Sequence, residues 1–243
     1  MESTLLDEAL RIVTAAEAAG VTLRLAGSLA IHRCAAASAP LVAQLGRETP
    51  GDIDLIAQSD DWEAVDALLT AEGYTGDAEL GRAREWGISR LIYEKPGVKI
   101  DVFFDRVEMS HTIDYRGRLA TDDAAVAPAD LLLSKLQIHD VTEKDLIDLL
   151  VLLDGAEIDL ARVLSVLGED WGFWYTAAAN LDKAAAFAAA HPELEAARRE
   201  ALAQQARNLR ARLDDAPKSR RWRMRARVGA RVRWYEPVEE VKR

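Results

Sequence analysis

Outside a short basic tail, strand-like periodicity is confined to the first half of this chain, and that limits the folds open to it. "VTLRLAG" (21–27), "DIDLIA" (52–57), 86–93 and 98–104 are alternating or β-branched apolar runs, and helical spacing separates them. From Pro128 the strand signals vanish until the tail, and helical patterns cover 128–140, 143–154, 159–168, 171–190 and 192–213. This order predicts an α/β fold: a small mixed-sheet unit at 1–125, then a C-terminal helical bundle at 126–216. A basic tail, 217–243, follows, and the junction between the first two falls in "ATDDAAVAP" (120–128).

Inside the first unit, Leu6, Leu10, Val13 and Ala16 mark an amphipathic helix over 4–19 that Gly20 ends. Ser28 opens an Ala-rich helix to about residue 36, and a loop with Pro40, Gly46, Pro50 and Gly51 follows. Asp60 is the expected N-cap of a helix through Glu72, with Trp62, Val65, Leu68 and Leu69 as its buried stripe. "EKPG" (94–97) has turn chemistry, so the strands on either side of it should form a hairpin.

Two of the strands carry acids. In "GDIDLIA" (51–57) the alternation of side chains puts Asp52 and Asp54 on one face, roughly 7 Å apart or less, where they repel unless a cation intervenes. "VKIDVFFD" (98–105) sets a third acid, Asp101, among apolar neighbours. Buried acids cost several kcal/mol each unless paired or bound to metal, and magnesium, a hard ion that prefers oxygen ligands, is the natural counter-charge. Gly27-Ser28, at a strand-to-helix turn, offers close backbone approach, free N–H groups and a hydroxyl, which suits a phosphate.

"LAGS" (25–28), "DIDL" (52–55) and "KIDVF" (99–103) together resemble the pattern of the polymerase-beta-type nucleotidyltransferase superfamily. "LLLSKLQIHDVTEKDLIDLLVLL" (131–153) is similar to the Lys- and Asp-containing helices of AbiEii-type nucleotidyltransferases, which include MenT-like toxins of bacterial toxin–antitoxin pairs. The chain has Gly27-Ser28-Leu29 where those toxins commonly have Gly-Gly-Thr. The resemblance implies a magnesium-dependent enzyme that moves a nucleoside monophosphate from an NTP, ATP among the candidates, to an acceptor hydroxyl with release of pyrophosphate. By the same resemblance Asp52 and Asp54 would hold two magnesium ions, and Asp101 would complete the second site and take the hydroxyl's proton. Gly27 and Ser28 would hold the terminal phosphates, and Lys135 would act as a point charge for the triphosphate.

For a toxin of this type the acceptor would be the 3′ end of tRNA and an antitoxin protein would be a partner. A small-molecule acceptor, as in aminoglycoside nucleotidyltransferases, and a non-catalytic NTP-binding protein on the same fold are the alternatives. Thr142-Glu143-Lys144-Asp145 matches a capping box, which gives Asp145 a structural role. Asp148 stands in "LIDLLVLL", apolar nearly all round, and needs a partner: Lys135 or a substrate group. Arg82, Arg84 and Arg90, before and within the hairpin, could touch phosphate.

No His or Cys has metal-ligand spacing, so His32 and His139 read as packing or surface residues, and the single Cys34 as a small apolar one. The net charge of −10 divides into +7 on residues 217–243 and −17 on the rest. In "KSRRWRMRARVGARVRWYE" (218–236) Arg alternates with Trp222, Met224, Ala226 and Val228, which predicts a strand or hairpin with one docked and one cationic face. Such a face could track RNA phosphates while Trp222 or Trp234 stacks on bases. "MESTLLDEAL" has acids where a signal peptide is basic, and no apolar run approaches ~18 residues, so a cytoplasmic location is expected.

Overall fold

The computed structural model describes residues 4–76 and 90–237. They form two compact units, Met1–Ala30, Thr49–Glu108 and Ile113–Val126 in the first, and Ile31–Glu48, Met109–Thr112 and Ala127–Arg243 in the second. Arg82 and Arg84, and residues 86–89 of the expected hairpin, lie outside the described residues.

The first unit opens with α1 (Leu5–Ala18), whose start is fixed by a capping box between Thr4 and Asp7. Its buried stripe, Ala9, Ile12, Val13 and Ala16, packs on the strands β1 (Leu23–Ala26) and β2 (Ile53–Ala57). Next come α2 (Gly27–Cys34) and, after β2, a 3-10 turn at Ser59–Asp61 and α4 (Trp62–Ala71). The sheet is completed by β3 (Thr75–Gly76), β4 (Arg90–Lys95) and β5 (Val98–Phe104), in the spatial order β1-β2-β5-β4-β3. Among the described strand pairs of this sheet β2–β5 is parallel and the others antiparallel, so the sheet is mixed as the element order predicts. β4 and β5 are the hairpin, turning at Pro96-Gly97.

Glu8 ties α1 to that hairpin: its carboxylate accepts from Tyr74 Oη at 2.7 Å and from Arg11 Nε at 2.9 Å, and pairs with Lys95. The Arg11 guanidinium, helped by Lys95 and Tyr74 and opposed by burial, holds the Glu8 carboxyl down to about 2. The free edge of β1 is sealed by residues 124–126. Leu25 donates to the Ala124 carbonyl at 2.8 Å and accepts from Val126 N–H at 2.9 Å. The stretch that sequence marks as a junction is therefore bonded into the first unit as a short parallel bridge. A small ribbon of β6 (Arg106–Glu108) and β7 (Thr112–Asp114) accompanies it.

Two expectations in this half are corrected. Residues read as loop contain a 3-10 turn, Ala36–Ser38, and α3 (Ala39–Gln44), because Pro40 sits in the first turn, where its missing N–H leaves no intrahelical bond unmade. Asp60 is not a helix N-cap but a member of the 3-10 turn, and Asp61 holds the cap position of α4 without a side-chain bond.

The second unit is helical: α5 (Pro128–Leu136), α6 (Glu143–Gly155), α7 (Leu160–Glu169), α8 (Trp171–Ala190) and α9 (Ala196–Asp215). α8 and α9 form the main pair. The inward residues of α8 are largely Ala177, Ala178, Ala184, Ala185 and Ala188, small enough for the Leu202, Leu209 and Leu213 stripe of α9 to pack closely.

The tail corrects the sequence reading, for it is helical and not β-like. Ser219 caps α10 (Arg220–Val228) by accepting from Trp222 N–H at 3.1 Å, and Gly229, at φ +61°, ends it. The inward positions, Trp222, Arg225, Ala226 and Gly229, repeat at helical spacing, so Arg and apolar side chains are not divided between two faces. The tail docks closely. A Cβ on Gly168 would stand 2.7 Å from the Pro217 carbonyl oxygen, and one on Gly172 would stand 2.5 Å from that of Trp234. No helix among the described residues is long and apolar enough to cross a membrane.

Candidate active site

Adjacent strands of the first unit place two of the sequence-predicted residues, Asp54 and Asp101, in one row that begins at Ala26. In the antiparallel β1–β2 pair Ala26 faces Asp54, and in the parallel β2–β5 pair Asp54 faces Asp101. Opposed residues of neighbouring strands point to the same side at a spacing of about 4.8 Å, so the two carboxylates share a face. Gly27 follows directly on Ala26, at φ +61°, and a Cβ there would fall 1.9 Å from Asp54 Oδ2. The carboxylate thus rests on bare glycine backbone, which only glycine permits on both counts. Ser28, half-buried, lies beside it in the first turn of α2.

Asp101 is buried, and two cations meet it. Lys99 Nζ lies 2.7 Å from its Oδ2 and Arg90 Nη2 lies 2.9 Å from its Oδ1. Arg90 also packs over the Phe103 ring, 5.4 Å from its centroid. Of the three hairpin arginines it is thus the one whose place is described, and it serves an acid. Asp52 is exposed at a bend before β2. Among the described residues no three His, Cys, Asp or Glu side chains are gathered so as to hold a metal ion.

The second unit brings together Lys135, Asp145 and Asp148. Lys135 Nζ lies 3.0 Å from Asp145 Oδ1 and 2.9 Å from Asp148 Oδ2. Asp145 also closes the capping box of α6, accepting from Thr142 N–H at 3.1 Å and Thr142 Oγ1 at 2.7 Å. Asp148 further receives a two-pronged contact from Arg47, Nε to Oδ1 at 2.9 Å and Nη2 to Oδ2 at 3.2 Å. His32 Nε2 stands 3.5 Å from Oδ1. Burial pushes the Asp148 carboxyl up, but His32, Lys135 and Arg47 outweigh it and hold its pKa far below the usual carboxylate range. Lys135 is the mirror case: burial lowers it, yet Asp148 and Asp145 prevail and raise it above the ordinary lysine value.

Arg47 and His32 are the members of this cluster that sequence reasoning missed. A buried acid at Asp148 signals that cations must come to it, but nothing local names residues more than a hundred positions away. His139 belongs to neither cluster: it stacks on Tyr235 with ring centroids 3.5 Å apart, and its Nδ1 is 3.0 Å from Asp140 Oδ1. Cys34 Sγ donates to the Ile31 carbonyl at 3.3 Å, an inert use of a thiol. Compared with known protein families and with curated proteins, the chain matches none of them.

Proposed function

We propose that the chain is a nucleotidyltransferase that transfers a nucleoside monophosphate from an NTP to an acceptor hydroxyl. The observation that carries this reading is the pairing of Asp54 and Asp101 on adjacent strands, with the bare backbone of Gly27 against Asp54 and Ser28 beside it in the first turn of α2. Bare backbone at Gly27 and the N–H groups of the first turn of α2 would receive phosphate oxygens, and the Ser28 hydroxyl would donate to them. The α-phosphorus would gain a bond to the acceptor oxygen and lose its bond to the bridging oxygen of pyrophosphate. A carboxylate oxygen of Asp101 would take the acceptor's proton.

Asp54 and Asp101 offer the hard oxygen donors that magnesium requires, with Asp52 two residues away as a third. Bound there, magnesium would neutralise phosphate charge as a Lewis acid. Arg90 and Lys99 now supply the counter-charge at Asp101. Both are long, partly exposed side chains that can swing aside. Lys135 is engaged by Asp145 and Asp148, so its contribution to nucleotide binding would require exchanging one of those partners.

The test supplies each of the four α-labelled NTPs with magnesium, together with total tRNA or a panel of hydroxyl-bearing small molecules. Label should pass to one acceptor class, which separates an RNA-modifying enzyme from one acting on small molecules. Asp54→Asn should reduce transfer at least about 100-fold while circular dichroism stays unchanged. Full activity in that variant, or no label on any acceptor, would overturn the reading.

A further inference from the structure

Residues 220–235 hold seven arginines and no acid. None of the seven forms an ion pair with a described residue, although an acidic body of net −17 carries them. Arg220, Arg221, Arg223 and Arg227 are exposed along α10, and Arg231 and Arg233 follow them. So dense a run of like charge repels itself, and the tail is anchored by its aromatic residues. Trp234 Nε1 donates to Thr176 Oγ1 at 3.1 Å, and Tyr235 stacks on His139.

Beside this arginine surface the same unit contains a cavity of about 570 Å³. Trp171, Trp222, Trp234 and Tyr235 line it together with Arg225 and Arg233. The volume falls within the ~300–1,000 Å³ range of ligand pockets and can accept a planar base. Its aromatic walls are held in place. Trp171 stacks on Tyr175 with centroids 5.0 Å apart, Trp222 meets Trp174 edge to face at 5.1 Å, and Arg225 lies 4.8 Å over Trp171. Glu169 and Glu236 also reach the cavity, and Asp170 there is committed to capping α8 through Phe173 N–H at 3.0 Å. Anions are therefore favoured along α10, and flat π-systems in the cavity.

The geometry points to a binding site for single-stranded nucleic acid, with the sugar-phosphate chain on the α10 arginines and one base in the tryptophan-lined cavity. A duplex, whose bases are stacked away, lacks the second element. The site uses no residue of the proposed active site and stands without it.

Binding is measured by anisotropy of a fluorescein-labelled 12-mer oligouridylate, with oligothymidylate as a second arm to separate RNA from DNA. EDTA is present and nucleotide absent, so a failure of the transferase reading leaves this test untouched. For about four phosphate contacts, raising salt from 50 to 200 mM should weaken binding about 50-fold. The double variant Arg221→Ala/Arg223→Ala, at exposed positions, should flatten the log–log salt slope by about 1.4, and Arg207→Ala on α9 should leave it unchanged. An abasic strand of the same length should bind about tenfold more weakly to the unaltered protein. Equal binding of abasic and base-bearing strands, equal binding of a duplex, a slope unaffected by the double variant, or a slope flattened as much by Arg207→Ala would each overturn the proposal.

Discussion

Asp101 in the first unit and Asp148 in the second are both buried acids met by two strong cations, yet their surroundings differ in kind. The side chains that serve Asp101, Arg90 and Lys99, are 40% and 34% exposed. Those that serve Asp148, Arg47 and Lys135, are 6% and 13% exposed. The first acid faces partners that water can receive when they leave, so its counter-charge is exchangeable. The second sits among cations that are themselves buried and held by further partners, Lys135 by Asp145 and Arg47 by the Glu48 carbonyl. A carboxylate of the first sort can serve a reaction, and one of the second sort holds a fold together.

Removing the charge at Asp148 should have the largest effect. Asp148→Asn takes from the buried Arg47 its carboxylate partner and leaves Lys135 to Asp145 alone, and it should cost about 3 kcal/mol in urea unfolding. A loss under about 1 kcal/mol would break the comparison and return Asp148 to the pool of candidate site residues. The pH dependence sharpens the same point. The Asp148 pKa is lowered in the folded state, so the stability it lends is whole above about pH 4, the unfolded value, and is lost as pH falls. Lys135 is raised, so its share is present below about pH 10 and lost above. Unfolding midpoints of the unaltered protein should therefore drop steeply below pH 4, and those of Asp148→Asn should drop less.

Gly27→Ala comes next. The new methyl meets both a left-handed backbone and the Asp54 carboxylate, so a loss of about 2–3 kcal/mol is expected by thermal melting. A stable variant with an unchanged melt would mean that Asp54 is not held against the turn. The smallest effect belongs to Asp101→Asn, because Arg90 and Lys99 can turn to solvent. About 1 kcal/mol or less in the same urea assay is expected, and a cost as large as that of Asp148→Asn would erase the distinction between the two acids.

The elements of the first unit were legible because their periods differ clearly: Asp54 and Leu55 fall on opposite faces of a strand, and Ile12, Val13 and Ala16 on one face of a helix. The acids could be named from the sequence, but the pairing of Asp54 with Asp101 is a matter of strand register, set by hydrogen bonds between segments far apart. The Arg47–Asp148 contact is likewise non-local. The tail misled for a specific reason. Strict alternation keeps residues i and i+4 in the same class, so Trp222 and Ala226 are neighbours in a helix just as they share a face in a strand. The deciding signals were the ends, Ser219 and Gly229, and not the pattern between them. β3, two residues long, leaves no period to read.

The close seating of the tail on Gly168 and Gly172 decides how the arginine segment can be studied. Its carbonyls lie where two side chains would otherwise be, and Trp234 satisfies Thr176, which also holds His111 Nε2 at 2.9 Å. Truncation at residue 217 would strip Trp171 of its cover and leave the buried Thr176 hydroxyl to His111 alone, so a shortened chain would report a folding lesion in place of a lost arm. The segment is cladding, fitted to the helices beneath it, and it has to be altered at its exposed charges, not removed.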